Sequence, residues 1–156
     1  MEQKTKIHAE PGRQDLLITR EFDLPLELLF KAHSEPELIE QWMESSVVQF
    51  EGRKHGYYKL EKKDPAGNIL FAADGTFHEF AANEQIVRTF QMANAPFDVQ
   101  LEFLEFERLS DDTSKLNMQI VFRTIDLRDQ MLKLPFAFGL NMAHNRLEEV
   151  IKPLWK

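Results

Sequence analysis

The sequence predicts an α+β domain in which a curved antiparallel β-sheet of six or seven strands wraps around a long C-terminal α-helix. Two short helices follow the first strand. Three observations predict it. Short alternating apolar runs, separated by turn-forming residues, fill the middle of the chain, so consecutive strands pair antiparallel. Two proline-led helix starts follow the first of these runs. One long stripe at helical spacing closes the chain, and it must cover the sheet face that the strands leave apolar.

Residues 1–15 are charged, contain Pro11-Gly12, and read as a flexible leader. Leu16 to Phe22 alternates as a strand, with Leu16, Ile18 and Phe22 on one side. Asp23 and Pro25 start a helix, because proline in the first turn loses no hydrogen bond. Leu26, Leu29 and Phe30 then fall at helical spacing. Ser34-Glu35-Pro36-Glu37 repeats the signal with Ser34 as the N-cap candidate, and Leu38, Ile39 and Trp42 give the second helix its apolar face.

From Val47 the pattern turns to strands. Val47 to Glu51 is short, and Gly56 to Lys63 sets Tyr58 and Leu60 against Lys59 and Glu61. Asp64-Pro65-Ala66-Gly67-Asn68 is a turn, with proline presetting one dihedral and Gly67 or Asn68 accepting positive φ. Ile69 to Phe80 is long, with Ile69, Phe71, Ala73, Gly75 and Phe77 on one side, and Gly75 predicts a bulge or bend. Gln85 to Met92 follows, and Asn94-Ala95-Pro96 breaks it. Asp98 to Leu109 places Val99, Leu101 and Phe103 inward; Leu104 and Phe106, on the opposite parity, imply a bulge or two-sided burial. After Ser110-Asp111-Asp112, Thr113 to Thr124 returns with Leu116, Met118, Ile120 and Phe122 inward.

Asp126 to Leu134 reads as irregular or as a short helix, because Pro135 disfavours α geometry at Leu134. Pro135 opens the final helix, whose stripe is Phe136, Leu140, Ala143, Leu147 and Ile151, and Pro153 ends it. No internal repeat or linker interrupts the chain, so residues 1–156 are expected to form a single domain.

Composition narrows the function. The chain has 156 residues, 43% of them hydrophobic and 29% charged, as in globular proteins. A net charge of −7 opposes binding to nucleic acid and to anionic membranes. Without cysteine there is no thiolate nucleophile and no cysteine–zinc site. The first residues lack the apolar run of a secretory signal, and no run approaches a membrane span, so a cytoplasmic location without membrane insertion is expected. His33, His55, His78 and His144 lie on four separate elements, so no metal is expected. No nucleophile elbow or glycine-rich phosphate loop is present, and no cofactor is expected. Thirteen phenylalanines stand against two tyrosines and two tryptophans. Phenylalanine supplies area without a polar handle, which suits either a well-filled core or an aromatic cavity wall.

Four segments carry a resemblance. They are Ile18-Thr19-Arg20-Glu21-Phe22-Asp23-Leu24-Pro25; Phe30-Lys31-Ala32-His33-Ser34-Glu35-Pro36-Glu37-Leu38-Ile39-Glu40-Gln41-Trp42; Gly75-Thr76-Phe77-His78-Glu79-Phe80 with Gln85-Ile86-Val87-Arg88-Thr89-Phe90; and Phe138-Gly139-Leu140 through Arg146-Leu147. Their order resembles the START-like (SRPBCC, helix-grip) superfamily, and more closely its branch named for the activator of heat-shock-protein-90 ATPase homologue. The likeness spans Leu16 to Lys152, and the second segment is the most specific. Three positions depart from the family pattern. Gly56 stands alone where the family pairs two glycines, Leu140 replaces a tryptophan, and Met43 replaces the second tryptophan of its pair.

The resemblance implies a cavity between sheet and helix that holds a hydrophobic or amphipathic small molecule, a lipid among them. It also suggests two alternatives: a co-chaperone or stress-related protein-interaction module, with a protein partner or a homodimer, and a cyclase- or hydrolase-like enzyme using the same cavity. Trp42 falls where the family's cavity mouth lies. By strand parity and helix stripe the candidate lining is Tyr58, Phe71, Phe77, Phe90, Phe103, Met118, Ile120, Phe122, Leu140 and Leu147, each of which also suits plain core. The polar anchor candidates are His144, beside the helix stripe or at its surface flank, and Arg88, which shares parity with Ile86 and Phe90 and suits a ligand carboxylate or a solvated strand face.

Overall fold

The computed structural model describes residues 3–93 and 95–155. Asn94, the first residue of the expected break, lies outside them, as do the first two residues of the expected leader. The elements run β1 (Lys6–His8), β2 (Asp15–Phe22), α1 (Leu26–Ser34), α2 (Pro36–Met43), β3 (Ser46–Phe50), β4 (Tyr57–Lys63), β5 (Ile69–Ala81), β6 (Gln85–Met92), β7 (Gln100–Arg108), β8 (Ser114–Val121), α3 (Ile125–Lys133) and α4 (Phe136–Ile151). The strands form one eight-stranded sheet in the order β1-β2-β8-β7-β6-β5-β4-β3, antiparallel throughout. Every strand expected from the sequence is present. The eighth is β1, which falls in the expected leader.

That leader is corrected. Lys6–His8 pairs with β2, from Lys6 opposite Thr19 to His8 opposite Leu17. Thr5 just before it is buried, its N–H donating to Asn141 Oδ1 at 3.0 Å. Three strand residues are too few to show a period, so only tertiary contact fixes them. Ser34 is corrected too: it ends α1, and Glu35 precedes α2 with no side-chain cap bond.

Register shifts bend the sheet between Val47 and Gln49, between Lys62 and Lys63, and between Phe77 and Glu79. The expected bulge at Gly75 therefore lies a few residues further on. Gly75 has another cause. A Cβ there would sit 1.9 Å from the Thr89 carbonyl oxygen and 2.9 Å from the Tyr58 ring. That carbonyl accepts the Tyr58 hydroxyl at 2.6 Å, so glycine is what lets β4, β5 and β6 close on one another.

Two apolar clusters fill the space between sheet and helices. The larger joins α1, α2 and the C-terminal half of α4 to the sheet through Leu29, Trp42, Tyr58, Phe77, Leu104, Leu116, Leu147 and Ile151. The smaller joins Leu16, Ile18, Phe97, Ile120, Phe122 and Met131. Met118 packs against both.

Strand β7 corrects a parity. Leu104 and Phe106 face the core, with Glu102 and Gln100 on the same side, whereas Phe103 lines an outer groove with Leu17, Thr19, Glu105 and Asn117. The physical reason is pairing. Leu104 lies opposite Met118 and Glu102 opposite Ile120, and residues directly opposite in an antiparallel ladder share a face. Once Met118 and Ile120 point inward, β7 has no choice.

Candidate functional site

A cavity of about 280 Å³ lies where the two clusters meet. Its floor comes from the sheet: Ile18 of β2, Phe50 of β3, Tyr58 and Leu60 of β4, Arg88, Phe90 and Met92 of β6, Gln100, Glu102 and Leu104 of β7, and Leu116, Met118 and Ile120 of β8. Its roof is helical. His33 comes from α1, Ile39, Trp42 and Met43 from α2, Met131 from α3, and Phe136, Leu140, Ala143, His144 and Arg146 from α4. The volume falls near the lower end of small-molecule pockets, which run from about 300 to 1,000 Å³.

Eight sequence-derived candidates meet at this cavity: Trp42, Tyr58, Arg88, Phe90, Met118, Ile120, Leu140 and His144. Five do not. Phe103 is on the outer face, as above. Phe71 is half-buried near the hairpin end of β5, beside exposed Ile69 and Leu70. Phe77 is spent on ring contacts, with centroids 4.9 Å from Tyr58, 5.0 Å from Phe80 and 5.3 Å from Phe50. Phe122 sits in the smaller cluster and Leu147 in the larger one.

The polar groups divide into two sets. In the floor, Arg88 Nε donates to Glu102 Oε1 at 2.8 Å, and Gln100 Nε2 donates to Glu102 Oε2 at 2.8 Å. The Arg88 guanidinium also lies 5.6 Å from the Tyr58 ring centroid. Burial, set against the small opposing pull of Arg88, pushes the Tyr58 hydroxyl well above its ordinary value. Arg88 is thus paired through Nε with the buried Glu102, while its own side chain stays 20% exposed.

In the roof are two histidines. His33 Nδ1 bonds the Leu29 carbonyl at 2.9 Å, one helical turn back. His144 Nδ1 meets Thr5 Oγ1 at 2.7 Å, and Thr5 Oγ1 also accepts from Arg20 Nη1 at 3.2 Å. Both rings flank Trp42, at centroid distances of 5.3 Å and 6.2 Å, and the Trp42 indole donates to the Ala32 carbonyl at 2.8 Å. The surface-flank alternative for His144 is corrected: it is 2% exposed. Burial pushes His33 down to about 4 and His144 down to about 3, with nearby Arg88 lowering the first, and His33 and Arg20 the second. Both are neutral at pH 7.

His33, Glu102 and Gln100 escaped the sequence reading, yet signals existed. Leu26, Leu29, Phe30 and His33 lie at steps of three, one and three, so His33 completes the apolar face of α1. Glu102 and Gln100 share the parity of Leu104 and Phe106. Among the described residues no cluster of three or more His, Asp or Glu is placed to hold a metal ion.

A curved antiparallel sheet gripping a C-terminal helix, with a lined space between them, defines a START-like helix-grip domain. The chain belongs to the family described as Activator of Hsp90 ATPase homolog 1-like protein, which matches residues 23–152. Its fold is shared by solved structures at low identity. A Rhodobacter sphaeroides protein superimposes with a TM-score of 0.82 at 19% identity, covering 95% of this chain and 99% of its own. A Mycobacterium smegmatis protein gives 0.82 at 16% identity, covering 94% and 96%. A Nitrosomonas europaea protein gives 0.76 at 23% identity, covering 94% and 99%. No curated protein matches the chain. No helix among the described residues is long and apolar enough to cross a membrane.

Proposed function

We propose that this protein binds a small apolar or amphipathic molecule between its sheet and α4. The observation that carries the reading is the cavity itself. Close-packed interiors leave few voids larger than a water, yet here about 280 Å³ stands open between two packed clusters. Four methionines, Met43, Met92, Met118 and Met131, contribute to its wall, and their flexible thioethers adapt to varied shapes. Affinity would come mainly from apolar burial, at about 25 cal/mol per Å² before ordering costs. Family membership agrees, since the fold is of a general ligand-binding type.

Neutral, strongly depressed histidines favour binding over turnover, because a general base works best with a pKa near the working pH. A second reading is a protein-interaction module. It draws on the family's description and on the exposed Leu134 and Phe138 beside the start of α4. Recovery of one stoichiometric partner in a pull-down would favour it.

The test of the first reading is native mass spectrometry with thermal shifts across lipids and uncharged aromatics, on the wild type and Ala143→Phe. Ala143 lines the cavity from α4, so phenylalanine there fills it. Wild type should gain a ligand mass and a higher Tm, and the variant neither. A wild type that responds to nothing on the panel sinks the reading.

A further inference from the structure

Resting on that reading, we propose that the cavity selects an uncharged ligand carrying one small group that both donates and accepts hydrogen bonds, such as an alcohol, phenol or primary amide, and discriminates against the matching carboxylate. The geometry of every charged group in the wall points this way.

Among the described residues two cations line the cavity, and each has a carboxylate partner. Arg88 is held by Glu102, whose side chain is 4% exposed and whose second oxygen is taken by Gln100. Glu102 takes only Arg88 Nε, so a ligand carboxylate at the Nη groups would set two anions side by side on a single cation. Arg146 Nε donates to the Trp42 carbonyl at 2.8 Å, and its Nη2 lies 3.7 Å from Glu44 Oε1. Among the described residues the wall therefore offers no positive charge without a carboxylate partner, and it already holds one carboxylate.

The histidines offer the opposite: two neutral hydrogen-bonding atoms of complementary kind. The partner of His33 Nδ1 is a carbonyl oxygen, which only accepts, so Nδ1 carries the proton and Nε2 is an acceptor. Arg20 can only donate to Thr5 Oγ1, so among the described residues bonded there His144 Nδ1 is the one that can take the hydroxyl proton; with Nδ1 accepting, His144 Nε2 is a donor. Neither Nε2 has a protein partner among the described residues. A hydroxyl can give its proton to His33 or take one from His144. A carboxylate brings no proton and sets its lone pairs against that of His33 Nε2. The depressed affinity of both rings for protons keeps this polarity intact at pH 7.

A matched pair of probes decides it: 2-naphthol and 2-naphthoate, titrated calorimetrically into the full chain at pH 7, with the Trp42 indole N–H signal in NMR reporting cavity occupancy. Wild type should bind the naphthol at least about tenfold tighter than the naphthoate. Glu102→Gln frees Arg88, so it should raise naphthoate affinity about tenfold and leave naphthol within about threefold. The double variant Arg88→Gln/Glu102→Gln removes both charges together and should keep the wild-type preference. Naphthoate binding wild type as tightly as naphthol, with the Trp42 signal shifted, overturns the selectivity but leaves the cavity reading standing. If neither probe binds, the cavity reading falls and takes this proposal with it.

Discussion

The two halves of α4 do different work. In the C-terminal half, Leu147 and Ile151 are fully buried in the larger cluster. In the N-terminal half, Phe136, Leu140 and Ala143 are only partly buried and face the cavity, while Phe138 is 56% exposed. The one fully buried residue there is polar, Asn141, tied to the backbone of Thr5. The first turn holds no acidic residue, and Pro135 makes no side-chain cap bond. One apolar stripe thus serves as core at one end and as a roof at the other. Stability and binding are carried by separate turns of the same helix.

Substitution at the two ends should expose that division most sharply. Leu147→Ala removes a fully enclosed side chain and should cost about 2–5 kcal/mol in urea unfolding. Leu140→Ala, at the cavity wall, should cost about 1 kcal/mol or less, because the atoms lost already face open space. Equal costs at the two sites would mean that the roof is packed as tightly as the core.

Acid tests the boundary between the halves, where His144 sits. In the folded chain the rings stay neutral down to about 4 for His33 and about 3 for His144. Unfolded, each takes a proton near 6.5. The unfolded state therefore holds more protons below 6.5, and stability falls as pH falls, until the folded rings titrate. From pH 6 to pH 5 the loss should be about 1 kcal/mol for each ring, or about 2 kcal/mol together. Urea midpoints at the two pH values measure it, and the ring NMR signals of both histidines should hold their neutral positions. A ring that titrates near 6 in the native protein would contradict its burial.

Much of this was legible from residues alone, and the failures have physical causes. Alternation found β2 and the strands from β3 to β8, and helical spacing found the stripe of α4, because one-sided burial writes its period into the sequence. The inward set on β8 was readable for the same reason. β7 was misread because apolar residues occupy both of its faces; only its register against β8 decides which are inside. Phe77 and Phe122 are buried as parity requires, but parity cannot say which buried ring borders a void. The polar sites were least legible. Arg88 found its partner across a strand pairing, and His144 found Thr5 at a separation of 139 residues, a contact that no local pattern records.

That distant contact can be cut on its own. Thr5→Val keeps the shape and removes the hydroxyl, leaving His144 Nδ1 without its partner inside the protein. The expected cost is about 1–3 kcal/mol, the penalty of an unsatisfied buried polar atom. Amide exchange should quicken across Lys6–His8, since the segment leading into β1 loses an anchor. Unchanged exchange there would show that pairing with β2 alone holds the strand.

The smallest effect should have the opposite sign, and it falls in the roof. Gly139 lies inside α4 with nothing within 4 Å of where a Cβ would stand. Alanine fits a helix interior better than glycine by about 0.5–1 kcal/mol, chiefly by narrowing the unfolded ensemble. Gly139→Ala should therefore raise Tm by about 1–4 °C. The same gain should slow exchange of amides in the first two turns of α4 and leave those near Leu147 unchanged, because only the roof half is short of stability. Lowered stability instead would mean that the helix packs here against something the free space does not show. Faster exchange near Leu147 would mean that the two halves open as one unit, and the division of labour along α4 would be lost.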